Sequence, residues 1–212
     1  MNERRTDLLK LAVNSLLSIT ALTAPAQQVT LVAPSSMQFS DSAYGVTFRY
    51  PAKWNFSASN EFYSPASIAS PDSPPRGVVF FKDDEGFSPY PKTNLTGAEF
   101  VYVNRKAASA KECDAFVLQR EGNAKPLAAK TINNVDYAHA RAQDAGMCHQ
   151  VQEDVYAGYR NQTCYLFDLA IHTICAGVKD NTRAITNSEL AQVTASLEKI
   201  LSSVEISDLK KN

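Results

Sequence analysis

Four cysteines and three histidines have the most chemical reach in this chain, and their spacing limits what they can do. Cys113, Cys148, Cys164 and Cys175 include no Cys-x-x-Cys pair, the spacing used by many zinc and thioredoxin-type redox sites. An even number of cysteines in an exported chain points to disulfides instead. His139, His149 and His172 each fall in a stretch that reads as a strand, where a place on the solvent face is the ordinary explanation. No Gly-x-Ser-x-Gly elbow accompanies them, so no motif announces the geometry that a hydrolytic triad needs. Cys148 and His149 are adjacent, and on a strand adjacent side chains point to opposite faces, so the two cannot chelate one ion together. Asp83-Asp84-Glu85-Gly86 is acidic but lacks the alternating oxygen ligands and closing Glu of a calcium loop; it reads as a solvated turn. With 8 glycines and no Gly-x-Gly-x-x-Gly or Walker run, no phosphate or dinucleotide loop is present. No catalytic, cofactor-binding or metal residue is therefore assigned. Asn55-Phe56-Ser57, Asn94-Leu95-Thr96 and Asn161-Gln162-Thr163 fit the glycosylation tripeptide and are left without a role.

The chain that must position these residues has 212 residues, 44% of them hydrophobic and 20% charged, with a formal net charge of −1. That is enough for one domain with a sizeable core. No basic excess points to nucleic acid. The aromatics Tyr44, Phe48, Tyr50, Trp54, Phe80, Phe81, Phe100 and Tyr102 are not interleaved with Lys and Arg, so they read as core and not as a base-stacking platform. Residues 1–26 read as a signal peptide. Arg4, Arg5 and Lys10 precede an apolar run from Leu11 to Leu22, and Ala24-Pro25-Ala26 offers a small-residue cleavage site before Gln27. Beyond the N-terminus no apolar stretch is long enough for a transmembrane segment, so none is expected in the mature chain. Residues 27–43 read as a flexible leader, 44–206 as a single α+β domain and 207–212 as a polar tail.

Inside the domain, Val46, Phe48 and Tyr50 alternate with Thr47 and Arg49, the period of a strand with one buried face. Pro51 ends that strand, and Trp54 opens a second. Glu61-Phe62-Tyr63 reads as a short strand and Ser64 to Arg76 as a proline- and serine-rich loop. Gly77 to Lys82 is a continuous apolar run, the mark of a strand covered on both faces. Ala98 to Asn104 is another strand. Ser109 and Glu112 form a capping box for a helix from Ala110 to about Gln119. A meander follows: Asn133-Asn134 as a tight turn, strand Val135 to Gln143, a turn at Asp144-Ala145-Gly146, strand Cys148 to Tyr159, a turn at Arg160 to Thr163, and strand Cys164 to Cys175. Thr186 and Glu189 open the last helix, whose apolar stripe is Leu190, Val193, Leu197, Leu201 and Val204.

The meander bears on the disulfides. With Asn161-Gln162 as a two-residue loop, Cys148 falls opposite Cys175, and opposed Cα atoms sit about 4.5–5.5 Å apart, within a disulfide's reach. Cys164 and Cys175 stand at the two ends of one strand, about 30 Å or more apart, which leaves Cys113 for Cys164. The same register sets Tyr165, Phe167 and Leu169 beside Gly158, Tyr156 and Asp154. A three-residue loop would match them with Tyr159, Ala157 and Val155, a more apolar face, and turn Cys148 away from Cys175. A bulge, or helices on both faces of the sheet, would reconcile the two. Cys148–Cys175 and Cys113–Cys164 are the favoured pairs.

Gly45-Val46-Thr47-Phe48-Arg49-Tyr50-Pro51-Ala52-Lys53-Trp54 resembles the opening signature of the PsbP/Mog1-like domains. The terminal helix running into Leu201-Ser202-Ser203-Val204-Glu205-Ile206 resembles their closing helix and last short strand. The resemblance spans about residues 40 to 206 and implies a central antiparallel β-sheet flanked by helices, with a C-terminal amphipathic helix. The family includes photosystem, nuclear-transport and periplasmic members, and none of their functional residues can be matched here. The sequence thus supports an exported, periplasmic or extracellular, non-catalytic domain that binds an unknown protein or small ligand, or supports an assembly, with no cofactor and no nucleic acid. The alternative is an extracytoplasmic hydrolase or redox enzyme whose residues are gathered from distant loops.

Overall fold

The computed structural model of the chain describes residues 35–58, 68–70, 72–83, 87–118, 124–178 and 181–208. The signal peptide, the Glu61-Phe62-Tyr63 strand and most of the Asp83 to Gly86 turn lie outside these residues. Two antiparallel sheets hold the described strands. The larger has seven: β3 (Asn55–Ser57), β4 (Gly77–Lys82), β5 (Leu95–Lys106), β9 (Thr163–Ile174), β8 (His149–Arg160), β7 (Val135–Gly146) and β6 (Lys125–Ile132), in that spatial order. The smaller has three: β1 (Ser36–Asp41), β2 (Val46–Pro51) and β10 (Glu205–Ile206), with β2 in the middle. Two helices join them, α1 (Ala110–Phe116) and α2 (Asn187–Ser202). Among the described residues no helix is long and apolar enough to cross a membrane.

Both faces of the seven-stranded sheet are covered, by different means. Phe100, Tyr102, Tyr137, Tyr156, Tyr165, Phe167 and Leu169 turn to one face and pack with Val46, Phe48 and Ile206 of the small sheet and Val193, Leu197 and Leu201 of α2. Val101, Val103, Val155, Ala157, Cys164 and Leu166 turn to the other and pack with Cys113 and Val117 around α1. The sheet flanked by helices therefore needs refining. One helix covers each face, and on the α2 face a second sheet shares the work. The Gly45 to Trp54 stretch builds this second sheet. Pro51, which has no N–H to give, ends β2, and the chain crosses to the large sheet at β3. Trp54 closes that corner, 8% exposed and edge-on to Phe81 at 5.0 Å.

The leader expected over 27–43 is corrected from Ser36 onward, because β1 pairs along the whole of β2. Its apolar period is weak, but Phe39 stacks on Phe48 at 4.6 Å. Asp41, 8% exposed, accepts a fork from Arg76 Nε and Nη2 at 2.9 and 3.1 Å. β6 carried no strand signal because it is an edge strand with most side chains in solvent, so no face imposes a period. The turn expected at Asp144 to Gly146 lies one step later, at Met147 and Cys148. Both have positive φ, 47° and 67°, a conformation that neither residue type announces. Asn133-Asn134 and Asn161-Gln162 also have positive φ at both positions, as two-residue hairpin turns require.

The β8–β9 register resolves the conflict over loop length. His149 faces Ile174 and Arg160 faces Thr163 without a shift between them, so no bulge intervenes. Tyr165 lies opposite Gly158, and the missing side chain there admits the Tyr137 ring: a Cβ on Gly158 would sit 2.6 Å from Tyr137 Cε1. The structure holds the disulfides Cys113–Cys164 and Cys148–Cys175, with Cα separations of 5.2 and 4.9 Å.

Truncating the corner and helix contacts exposes cavities, so Trp54→Ala costs about 3–5 kcal/mol and Leu197→Ala about 2–5 kcal/mol. At Gly97 an added Cβ would meet the Phe81 carbonyl oxygen at 2.7 Å, whereas at Gly146 it meets nothing within 4 Å. Gly97→Ala therefore destabilises by roughly 1–3 kcal/mol, and Gly146→Ala stays within about 0.5 kcal/mol of wild type. Denaturant midpoints check all four; equal effects at the two glycines would refute the packing described for β4 and β5.

Candidate functional site

Val101, Val103 and Arg105 fall on one face of β5, two residues apart, so the period that buries the valines also carries a guanidinium toward α1. Arg105 lies opposite Cys164 in the sheet, and Cys164 is bonded to Cys113 of α1. The disulfide thus holds α1 beside Arg105, and the guanidinium carbon sits 5.1 Å above the Phe116 ring. Arg105 Nη2 donates to the Ile68 carbonyl at 2.5 Å. Arg105 Nε is buried and finds no acceptor.

Arg105 and Phe116 form part of the wall of an open cleft of about 1220 Å³. Its other walls are the β8–β9 turn at Asn161 to Thr163, Tyr44 before β2, and the segment around Ser70 and Ser73. Ser70 and Ser73 exchange backbone hydrogen bonds of 3.1 and 2.9 Å. The residues following Arg105 build the near rim. Ser109 caps α1 by accepting from Glu112 N at 3.2 Å, and Glu112 Oε2 accepts from Ala108 N at 2.7 Å. Lys106 and Asp72 also line the cleft.

The other half-buried or paired arginines have carboxylates. Arg76 meets Asp41, Arg141 meets Asp154, Arg160 meets Asp208 and Arg183 meets Glu189. The hydrogen bonds to these acids raise the pKa of Arg76, Arg141 and Arg183. Burial instead pulls that of Arg105 down, with no acid to oppose it. Arg105 was not singled out in the sequence, although a charged residue in phase with Val101 and Val103 was a readable signal.

The histidines do not sit in this cleft. His139, expected on a solvent face, stacks on Tyr156 at 4.1 Å, and its Nε2 lies 2.9 Å from Asp154 Oδ1. His172 is 4% exposed, with Nε2 3.0 Å from Glu99 Oε1. The solvent-face reading fails for both because each face of the sheet is packed. His149 alone of the three is exposed. Glu99 and Glu153 flank Ala170 from neighbouring strands, and with Asp168 and His172 they make a buried polar patch on the α1 face. No histidine lines this cleft, and among the described residues no group of three or more His, Cys, Asp and Glu side chains is placed to hold a metal ion. Asn94 is engaged at both ends of its amide, giving to the Ile174 carbonyl and accepting from Ile185 N, both at 2.7 Å.

No protein-family model matches this chain, and no curated protein matches it. Solved structures do. The solution structure of cyanobacterial PsbP (CyanoP) from Synechocystis matches at 13% identity and a TM-score of 0.47, over 87% of this chain and 100% of that one. The Ran-binding protein Mog1p of Saccharomyces cerevisiae matches at 10% identity and a TM-score of 0.43, over 82% of this chain and 96% of that one. A protein from Bacteroides thetaiotaomicron matches at 11% identity and a TM-score of 0.45; this chain covers 84% of its own length there but spans about half, 51%, of the other. The family that the Gly45 to Trp54 stretch resembles is thus represented among the structures this chain matches.

Away from the cleft, the buried face toward α2 holds one carboxylate whose charge can be followed by titration. Burial alone would raise the pKa of Asp154, but hydrogen bonds from His139 and Arg141 outweigh it and hold the pKa below its ordinary value. A carboxylate depressed in this way contributes stability above its unfolded pKa of about 3.9, and loses it as pH falls through the lower folded value. Asp154→Asn therefore destabilises by roughly 1–3 kcal/mol at neutral pH, and the gap to wild type closes as the pH falls below about 4. Chemical denaturation across pH checks this; a gap that stays constant into acid would contradict it.

Proposed function

We propose that this chain is an exported, non-catalytic domain that binds a protein or small ligand, or supports an assembly, through the cleft beside the Cys113–Cys164 disulfide. One observation carries the reading: Arg105 is half-buried in a large cleft, held in place by Phe116 and Ile68, and forms no ion pair with a carboxylate among the described residues. Withdrawing a cation from water without a partner costs free energy, and a partner arriving from outside would offset it. Export is supported by the basic start, the apolar run and the Ala24-Pro25-Ala26 site, and by two disulfides, which persist in oxidising compartments. The enzyme alternative asks for a histidine beside a nucleophile or carboxylate in a concave site. His139 and His172 do have carboxylates, but within the packed sheet and not on the wall of this cleft.

In the native host, the protein should be recovered from an extracytoplasmic fraction with its N-terminus near Gln27. Cross-linking there, or a thermal-shift screen against metabolites, should identify a partner or ligand whose binding is abolished by Ala108→Trp. Ala108 is exposed on the cleft rim, so the bulk obstructs the cleft without entering the core. An intact Met1 in the cytosol would refute export. Binding that survives Ala108→Trp would move the function away from the cleft.

A further inference from the structure

We infer that the cleft recognises a monoanionic carboxylate, seated on the guanidinium of Arg105. The inference rests on the reading of the cleft as the binding site and names the chemistry it selects.

Four other arginines are answered by acids within the fold. Arg76, Arg141 and Arg183 each meet their carboxylate through two side-chain nitrogens, and Arg160 meets Asp208 at 2.9 Å. Arg105 is set apart by position. Glu99, on the same face of β5, lies six residues away and is paired with His172, and among the described residues the acids that line the cleft beside Arg105 are Asp72 and Glu112. Of these, Glu112 is committed to the Ala108 backbone N–H, and Asp72 lies across the cleft in solvent. Neither forms an ion pair with Arg105, whose only resolved perturbation is burial.

The guanidinium is also fixed in place. The guanidinium carbon lies 5.1 Å over the Phe116 ring, and the Ile68 carbonyl takes one hydrogen of Nη2. Five N–H donors in a rigid fork match a carboxylate in two parallel bonds, and a fork already held still loses less entropy on binding. Charge then discriminates among anions. Arg105 and Lys106 are balanced around the cleft by Asp72 and Glu112. A single negative charge is neutralised by Arg105 alone, whereas a doubly charged phosphate would add an excess negative charge to a cleft that Asp72 and Glu112 also line. The remaining wall offers neutral hydrogen-bonding groups, Asn104, Gln162 and Thr163 among them, suited to the amide or hydroxyl groups next to a carboxylate.

Such a carboxylate could belong to a small organic acid or to the C-terminus of a polypeptide, and one titration separates the two. With the full chain, the side-chain Nε–H resonance of Arg105 is followed by NMR while acetate, an acetyl-trialanine peptide with a free C-terminus, its C-terminal amide, and inorganic phosphate are added in turn. The peptide acid should shift the resonance saturably, and the amide should not. Acetate binding as tightly as the peptide acid identifies a small acid as the source; roughly tenfold tighter binding of the peptide acid identifies a polypeptide terminus. Arg105→Gln should weaken the binding by roughly tenfold or more, the loss expected for a charge-assisted pair. Asp72→Asn should strengthen it, so a readout survives even if Arg105→Gln fails to fold. Absence of a saturable shift, equal binding of acid and amide, tighter binding of phosphate, or indifference to Asp72→Asn would overturn the inference. A natural ligand lost with Ala108→Trp but kept with Arg105→Gln would leave the cleft as the binding site and remove the carboxylate alone.

Discussion

A slip of one residue in the β8–β9 hairpin would turn every side chain of β9 to the opposite face of the sheet. Much of the structure depends on that not happening. The register is set at Asn161-Gln162, where both residues adopt positive φ, and runs without a shift to the far end. It sends Tyr165 and Phe167 toward α2 and the small sheet, and Cys164 and Leu166 toward α1. It sets Cys148 and Cys175 close enough to bond at one end of the hairpin, and aims Cys164 at Cys113 near the other. The cleft follows from the same pairing: Arg105 lies across from Cys164, and the disulfide brings α1 and Phe116 beneath its guanidinium.

Because both faces of the large sheet are packed, its charged residues need partners inside the fold. Asp154 is answered by Arg141 and His139, and Glu99 by His172. Asp41 is answered by Arg76 from β1 to the start of β4. Arg105 breaks this pattern. A charge left half-buried without an acid among the described residues is a cost to stability, and a local conflict of this kind is what a functional site leads one to expect. The binding role proposed for the cleft and a local conflict in the sequence are thus two aspects of one side chain.

The parts of the fold legible in the sequence were those with a strong period. Val46, Phe48 and Tyr50 marked β2, the run Gly77 to Lys82 marked β4, and the stripe Val193, Leu197, Leu201 with the Thr186–Glu189 box marked α2. What lay hidden had weak or cancelled periods. β1 depends on Phe39 and Asp41 meeting partners far along the chain, and β6 is an exposed edge. The Met147-Cys148 turn uses residues that do not favour positive φ, and its place is fixed by the hairpin and the disulfide rather than by local preference. His139 and His172 lie on the expected strands but in packed surroundings, because helices and a second sheet cover both faces, whereas His149 is exposed as its sequence context suggests. Arg105 was visible only as a charge in phase with two valines. Its meaning needed the disulfide and Phe116, which sequence spacing alone does not bring together.

The register is the claim on which the cleft, the core and both disulfides rest, and the cysteines record it chemically. Peptide mapping of the native protein under non-reducing conditions reads it directly. The account predicts two linked species, one joining Cys113 to Cys164 and one joining Cys148 to Cys175. A peptide linking Cys113 to Cys148, or four free thiols in protein taken from an extracytoplasmic fraction, would contradict it.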